Sequence, residues 1–218
     1  MTKFAHTRAN LVIVMIIITF ASIMAPAGIH FNNPIFRRFA MLPPRLKKAM
    51  NEQIKHELES YYIYLSMAAY FHARSLDGMA HWMRCQAHEE MIHAMKFFDH
   101  ILDRGDTVVL LNLAQQKTAW ASPLEAWEDT YAHEQFISSK INELTGIARE
   151  EKDYQSEPIL AWFANEQVEE ESTASKIRDQ VAMVGDGNTG LLLLDRELGG
   201  RVFPAGSPLD PAAYQQAE

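Results

Sequence analysis

From Pro44 to about residue 185 the chain repeats one pattern, apolar residues at steps of three and four. That spacing keeps side chains on one face of an α-helix. The first series runs Leu46, Met50, Ile54, Glu57, Tyr61, Tyr64, Ala68, Phe71. The second runs Met79, Trp82, Gln86, Glu90, His93, Phe97, Ile101. The third is Leu124, Trp127, Tyr131, Glu134, Ser138, Ile141, Thr145, Ala148, and the fourth Leu160, Phe163, Gln167, Glu170, Ala174, Ile177, Val181. Punctuation bounds each series. Pro43 and Pro44 suit a helix start, where a missing N–H costs little, and this helix is expected to run to about Ser75. "LDGMA", 76–80, turns into a second helix ending near Gly105. "SPLE", 122–125, is a capping box with Pro at the first helical position, and it opens a third helix ending near Lys152. A fourth starts around Ser156, since Pro158 fits only a first turn, and ends at "GDG", 185–187. "TGLLLLDRELGG", 189–200, reads as a short fifth helix. Residues 106–121 mix polar and apolar positions without helix caps and read as a long connection. Four helices of about 27–31 residues, each roughly 40–46 Å long, with two short turns and one long crossover, predict an all-α four-helix bundle.

All four stripes carry the same interruption. Each puts one acid into its apolar face near mid-length: Glu57, Glu90, Glu134 and Glu170. Together they make −4 if ionised, and no stripe contains a lysine or arginine. One unpaired buried carboxylate costs several kcal/mol, so a cluster must take up protons, unfold, or bind cations. Two divalent cations supply the balancing charge. His93 follows Glu90 by three residues, so both can reach one metal from one helix face. A mostly carboxylate donor set with one imidazole suits iron(II) or manganese(II), whereas structural zinc favours thiolates or more histidines. For a single helix, a protonated acid and a hydrogen-bonded histidine would be the simpler account; four acids at corresponding depth favour the metal.

Other residues near the seam leave alternatives open. Gln167 points inward three residues before Glu170 and, being neutral, is better suited to a hydrogen bond than to tight metal binding. Glu166 and Glu169 lie beside the seam, as does Glu89 on the second helix; they form either a weaker third cation site or a solvated acidic face. Tyr64, two turns after Glu57, either serves the site as a hydrogen-bond or electron donor or fills core. His56, His88 and His133 fall off the stripes and read as surface or rim residues.

Composition narrows the classes. The formal net charge of −8 disfavours a nucleic-acid partner and suits cations. Cys85, the only cysteine, excludes an intramolecular disulfide framework and any CxxC module. Residues 1–40 stand apart: Lys3 and Arg8 precede the apolar run Leu11–Met24, and "APA" at 25–27 offers a cleavage site after Ala27. The run has 14 residues, short of the roughly 20 a membrane span needs. Two readings stand side by side: an export signal, or an extension upstream of a true start at Met41. The expected organisation is a leader over 1–40, the bundle over 41–200 and an irregular tail over 201–218. The expected location is cytoplasmic, with export after Ala27 as the alternative and no membrane role for the mature domain.

The segments "NEQIKHELESYYIY", "AHEEMIHAMKFFDHIL", "TYAHEQFISSKINEL", "NEQVEEE" and "LLLLDREL" resemble the bacterial non-haem ferritins over residues of about 42–198. The resemblance implies a ferritin-like bundle and a ferroxidase centre that oxidises iron(II) with dioxygen, with Glu57, Glu90 and His93 on a first iron. It implies that Glu90 bridges to a second iron held by Glu134 and Glu170 with Gln167 close by, and a third site at Glu89, Glu166 and Glu169. It further implies a hollow homo-oligomer of 24 subunits storing a ferric mineral, with the fifth helix near the four-fold axes. No haem is expected, because haem-containing bacterioferritins carry a histidine where this chain has Glu170. The leader and the long tail depart from the family pattern.

Overall fold

The computed structural model describes residues 41–185, 188–203, 207 and 209. The leader, residues 186–187 of the glycine cap and most of the tail lie outside the described residues. The elements are α1 (Pro44–His72), α2 (Asp77–Asp103), α3 (Pro123–Glu150), a 3-10 turn (Tyr154–Ser156), α4 (Glu157–Val184) and α5 (Asn188–Leu198). The long helices have 29, 27, 28 and 28 residues, within the expected lengths. Helix α1 pairs with α2, α3 pairs with α4, α1 also packs on α3, and α5 packs on α2 and α4. This is the four-helix bundle with a short fifth helix.

Local chemistry accounts for the ends. Ser122 Oγ accepts from Glu125 N–H at 3.1 Å, capping α3 as its sequence predicts. Pro44, Pro123 and Pro158 occupy first turns, where no backbone donor is lost. Gly185 ends α4 with φ +59, a left-handed conformation that glycine takes without a Cβ clash. The α1–α2 turn departs from expectation. Its left-handed residue is Ser75, φ 58, and Gly78 already lies inside α2. Gly78 serves another purpose: a Cβ there would sit 1.7 Å from the Asp195 carbonyl oxygen, so α5 can approach α2 only at a glycine. The Asp195 carboxylate then accepts from the N–H groups of Gly78 (3.1 Å) and Met79 (2.8 Å), capping the otherwise unsatisfied start of α2.

The crossover, residues 106–121, forms no helix or strand and is laid over the bundle by discrete bonds. Lys47 pairs with Asp106, Val109 N–H donates to Asn51 Oδ1 at 2.5 Å, and Ser66 Oγ donates to Lys117 O at 2.6 Å. Near its end Lys117 bridges Glu125 (2.7 Å) and Asp129 (2.8 Å).

The core falls into two apolar clusters. One gathers Tyr64, Phe71, Met79, Trp82, Met83, Trp127, Ile177 and Val181. The other gathers Leu46, Met50, Ile54, Phe97, Ile101, Ile137, Ile141, Leu160 and Phe163. Along α1 and α4 the chain passes from the second cluster to the first, and along α2 and α3 from the first to the second, so α2 and α3 run in the same direction, as the long crossover between them allows. Each helix crosses from one cluster to the other at its acid. A buried polar layer therefore lies across the middle of the bundle: Glu57, Ser60, Gln86, Glu90, His93, Glu134, Gln167 and Glu170.

The α4 stripe is buried residue for residue as read from the sequence, and so is that of α2. The α3 stripe needs correction. Its buried line runs Trp127, Thr130, Glu134, Ile137, Ile141, Leu144, Ala148, so Thr130, Ile137 and Leu144 replace Tyr131, Ser138 and Thr145. Thr130 can face inward because its hydroxyl donates to Ala126 O at 3.0 Å, while Tyr131 lies outside under the Arg178 guanidinium at 4.4 Å.

Candidate metal centre

Both α1 and α2 present an acid preceded by glutamine four residues earlier, one turn away on the same face. Gln53 Nε2 donates to Glu57 Oε1 at 2.7 Å, and Gln86 Nε2 donates to Glu90 Oε1 at 2.9 Å. On α2 the next turn adds His93, whose Nδ1 lies 3.5 Å from Glu90 Oε2. Glu57, Glu90 and His93 each offer one ligand atom such that all lie within 4.8 Å of one another. Glu57 is 0% exposed, and its Oε2 is buried without a hydrogen-bond partner. A buried carboxylate oxygen left unpaired is costly, and a cation held jointly with Glu90 and His93 would give it a partner.

A second group of the same kind joins His93 to Glu166 and Glu170 of α4. Glu134 belongs to neither group among the described residues. Its oxygens are taken by other donors: Tyr64 Oη donates to Oε1, and Gln167 Nε2 donates to Oε2 at 3.2 Å and to the Glu134 carbonyl at 3.2 Å. Tyr64 is thus a fully buried hydrogen-bond donor to an acid of the polar layer, and Gln167 acts as a donor, as its neutrality suggests. The residues of the possible third site are spread apart. Glu166 turns toward His93 and Glu170, Glu89 Oε2 is paired with Arg201 Nη2 at 2.5 Å, and Glu169 is exposed.

Burial and neighbouring charges shift the groups of this layer in opposite directions. Burial, and then the Glu90 charge, raise Glu57 to about 8, while His93 acts against them. Burial and the charges of Glu90 and Glu170 hold Glu134 well above the usual carboxylate range. Burial and Glu90 raise Glu170 to about 7. Burial opposes a charged His93, but the Glu90 hydrogen bond and the surrounding carboxylates outweigh it and raise the imidazole to about 10. Burial likewise opposes the Glu90 charge, and His93 outweighs it, leaving that carboxyl below its ordinary value. At neutral pH the layer is one His93–Glu90 ion pair among acids that keep or share protons. The carboxylate-rich set, the imidazole and the orphaned Glu57 oxygen fit a hard or borderline divalent cation.

Sequence reasoning placed Gln86 in a stripe without a role and passed over Gln53. The signal was present as the repeated Gln-x-x-x-Glu of α1 and α2. Arg201 was also missed, and no periodicity could have found it, since its partners lie more than a hundred residues earlier in the chain.

Four long helices with a short fifth, holding carboxylates and a histidine at mid-length, define a helical bundle with a candidate carboxylate–histidine metal centre. Comparison with known proteins makes the class specific. The family described as "Ferritin-like domain" matches residues 47–184. A bacterial non-heme ferritin of Bacteroides fragilis strain 638R is 40% identical over 161 residues, 74% of this chain and 100% of that protein. The bacterial non-heme ferritin of Staphylococcus aureus strain USA300 is 36% identical over 163 residues, 75% of this chain and 98% of its own length. Among solved structures, the open pore ferritin of Archaeoglobus fulgidus superposes with a TM-score of 0.74 at 41% identity, covering 75% of this chain and 99% of that one. The chain belongs to the ferritin family, and its relatives are bacterial non-heme ferritins. Membership implies iron binding and a role in iron storage. Among the described residues no helix is long and apolar enough to cross a membrane.

Proposed function

We propose that the protein is an iron-storage ferroxidase, which oxidises iron(II) with dioxygen at a paired site and deposits the ferric product as a mineral inside a hollow shell. The observation that carries the reading is the gathering of Glu57, Glu90 and His93 within 4.8 Å, with a partnerless carboxylate oxygen among them, at the middle of a ferritin-family bundle. In this reading Glu57, Glu90 and His93 hold the first iron(II). Glu90 is shared with a second, held by Glu134 and Glu170 with Gln167 beside them. One oxygen of Glu134 must then give up its donor, Tyr64 on Oε1 or Gln167 on Oε2, to the metal, while the other donor keeps the second oxygen oriented.

Each iron(II) gives one electron to a dioxygen molecule. The reduced oxygen takes up two protons, and the layer has just released protons from Glu57, Glu134 and His93. The ferric ions then hydrolyse and move to the mineral. Carboxylates suit that traffic because they bind iron firmly enough to oxidise it and let it leave. Glu166, already beside His93 and Glu170, is the member of the third set best placed to pass iron onward. Glu89 and Glu169 would have to move to join it.

The same reading takes the assembly to be a shell of 24 subunits without haem, with iron(II) and dioxygen as substrates. It takes the ferritin unit to span residues 41–200, preceded by a leader and followed by a tail. It places the protein in the cytoplasm, or outside it if the leader is cleaved after Ala27. Iron loading tests the function. Purified metal-free protein receives iron(II) under nitrogen in excess, air is admitted, and iron retained after gel filtration is counted. Hundreds of irons per particle are expected; a pair per subunit would instead indicate a di-iron oxygenase, and none a metal-free bundle.

A further inference from the structure

The two glutamine donors differ in one respect. The Gln53 amide is placed by its own helix, whereas the Gln86 amide is held from outside. Arg201, just past α5, sends Nη1 to Gln86 Oε1 at 2.9 Å, and Gln86 Nε2 donates to Glu90 Oε1 at 2.9 Å. A guanidinium has five N–H donors and no acceptor. Gln86 must therefore turn its oxygen toward Arg201 and its NH2 toward Glu90. Without that constraint only the carboxyls of Glu90 and Glu170 would hold the amide in this orientation.

Arg201 is itself fixed on several sides. Its Nη2 pairs with Glu89 Oε2 at 2.5 Å, its guanidinium lies over the Trp82 ring at 4.3 Å, and its carbonyl accepts from His81 Nε2 at 2.6 Å. Gln86 is 0% exposed, so with the arginine in place no solvent donor competes for its oxygen.

We propose that Arg201 is a positioning residue for the metal centre: by donating to Gln86 Oε1 it fixes the amide with its NH2 toward Glu90 Oε1 and so sets the direction in which Glu90 presents its other oxygen, the one facing His93. The inference rests on the reading of Glu90 as a ligand. It couples the segment after α5 to the middle of the bundle, and it makes metal affinity depend on α5 being docked.

The test uses cobalt(II), which resists oxidation by air here and reports its ligand field in the visible spectrum. Whole protein, metal-free, is titrated under nitrogen as wild type, Arg201→Ala, Arg201→Lys, Gln86→Ala and the Arg201→Ala/Gln86→Ala double variant. Outer partners of metal ligands typically change affinity by about 10–100-fold when removed, so Arg201→Ala is expected to weaken binding about tenfold and shift the cobalt band. Arg201→Lys should recover part of both. In the Gln86→Ala background, Arg201→Ala should change nothing further, because the relay is already cut. An unchanged cobalt spectrum and affinity in Arg201→Ala would overturn the proposal. So would an Arg201→Ala effect that persists in full without Gln86, which would mean the guanidinium acts through Glu89 or through packing on Trp82. Glu90→Ala is run alongside. If it keeps full cobalt affinity, the reading of the centre fails, and that outcome is distinct from failure of the relay.

Discussion

Glu57→Gln is expected to stabilise the metal-free protein, and to do so by more as the pH rises. Burial, and then the Glu90 charge, raise the folded-state carboxyl from 4.5 to about 8. In the unfolded chain the same group ionises near its ordinary value. A folded pKa above the unfolded one means that this group favours folding fully only below the unfolded value, and that its support is lost as the pH climbs through the folded value. Linkage makes the penalty about 2 kcal/mol near pH 6 and about 5 kcal/mol near pH 9, relative to a group that does not titrate. Glutamine keeps the size of glutamate and an oxygen for the Gln53 donor at 2.7 Å, but carries no charge. Replacing an oxygen by NH2 has its own cost, but that cost does not vary with pH. The readout is therefore the change in the stability gap, about 2–3 kcal/mol between those pH values. Urea unfolding of both proteins with a chelator present, near pH 6 and near pH 9, measures it. A gap that stays constant or narrows toward high pH would refute the claim that Glu57 is a buried acid held protonated until metal arrives.

Other consequences follow from the same layer and its supports. Glu170→Ala should leave metal-free stability unchanged or higher, since it removes a carboxyl crowded by Glu90, while stopped-flow oxidation of iron(II) slows by about tenfold or more. A variant that oxidises iron normally but unfolds far more easily would assign Glu170 to the fold instead. Cobalt(II) affinity should climb as the pH passes 7 to 8, because binding expels protons from Glu170 and Glu57, raised to about 7 and about 8; calorimetry in two buffers of different ionisation heat should show that release. Tyr64→Phe removes the hydroxyl that donates to Glu134 Oε1, so occupancy of the second metal position should fall with little change at the first, as read by stoichiometric titration. Gly78→Ala would drive a Cβ to 1.7 Å from the Asp195 carbonyl, so α5 should loosen at a cost of about 1–3 kcal/mol, visible as faster amide exchange over residues 188–198.

Much of this was legible in the chain because a helical bundle writes its core as a period. On α4 every buried position from Leu160 to Val181 could be named in advance, and on α2 Glu90 and His93 stood out because they replace apolar residues in an otherwise regular series. The α3 stripe slipped by one position at Thr130, Ile137 and Leu144 because strict steps of three and four from Tyr131 land on Ser138 and Thr145. The helix buries the threonine, whose hydroxyl bonds its own backbone, and leaves the tyrosine under an arginine. Within the site, the sequence indicated which acids share a depth but not which oxygens face one another. Glu166 beside His93, and Glu134 engaged by Tyr64 and Gln167, are facts of rotamer and neighbouring helix. The docking of α5 through Asp195, and the reach of Arg201 back to Gln86 and Glu89, depend on pairs more than a hundred residues apart, which no local pattern encodes.

The central claim is that two iron ions share this layer. Crystals of the metal-free protein, soaked with iron(II) under nitrogen and measured on either side of the iron absorption edge, address it directly. Two anomalous peaks per subunit are expected, one within bonding distance of Glu57, Glu90 and His93 and the other reached by Glu90, Glu134 and Glu170. Anomalous density absent from the Glu57, Glu90 and His93 group, with iron bound only at surface carboxylates, would contradict the account.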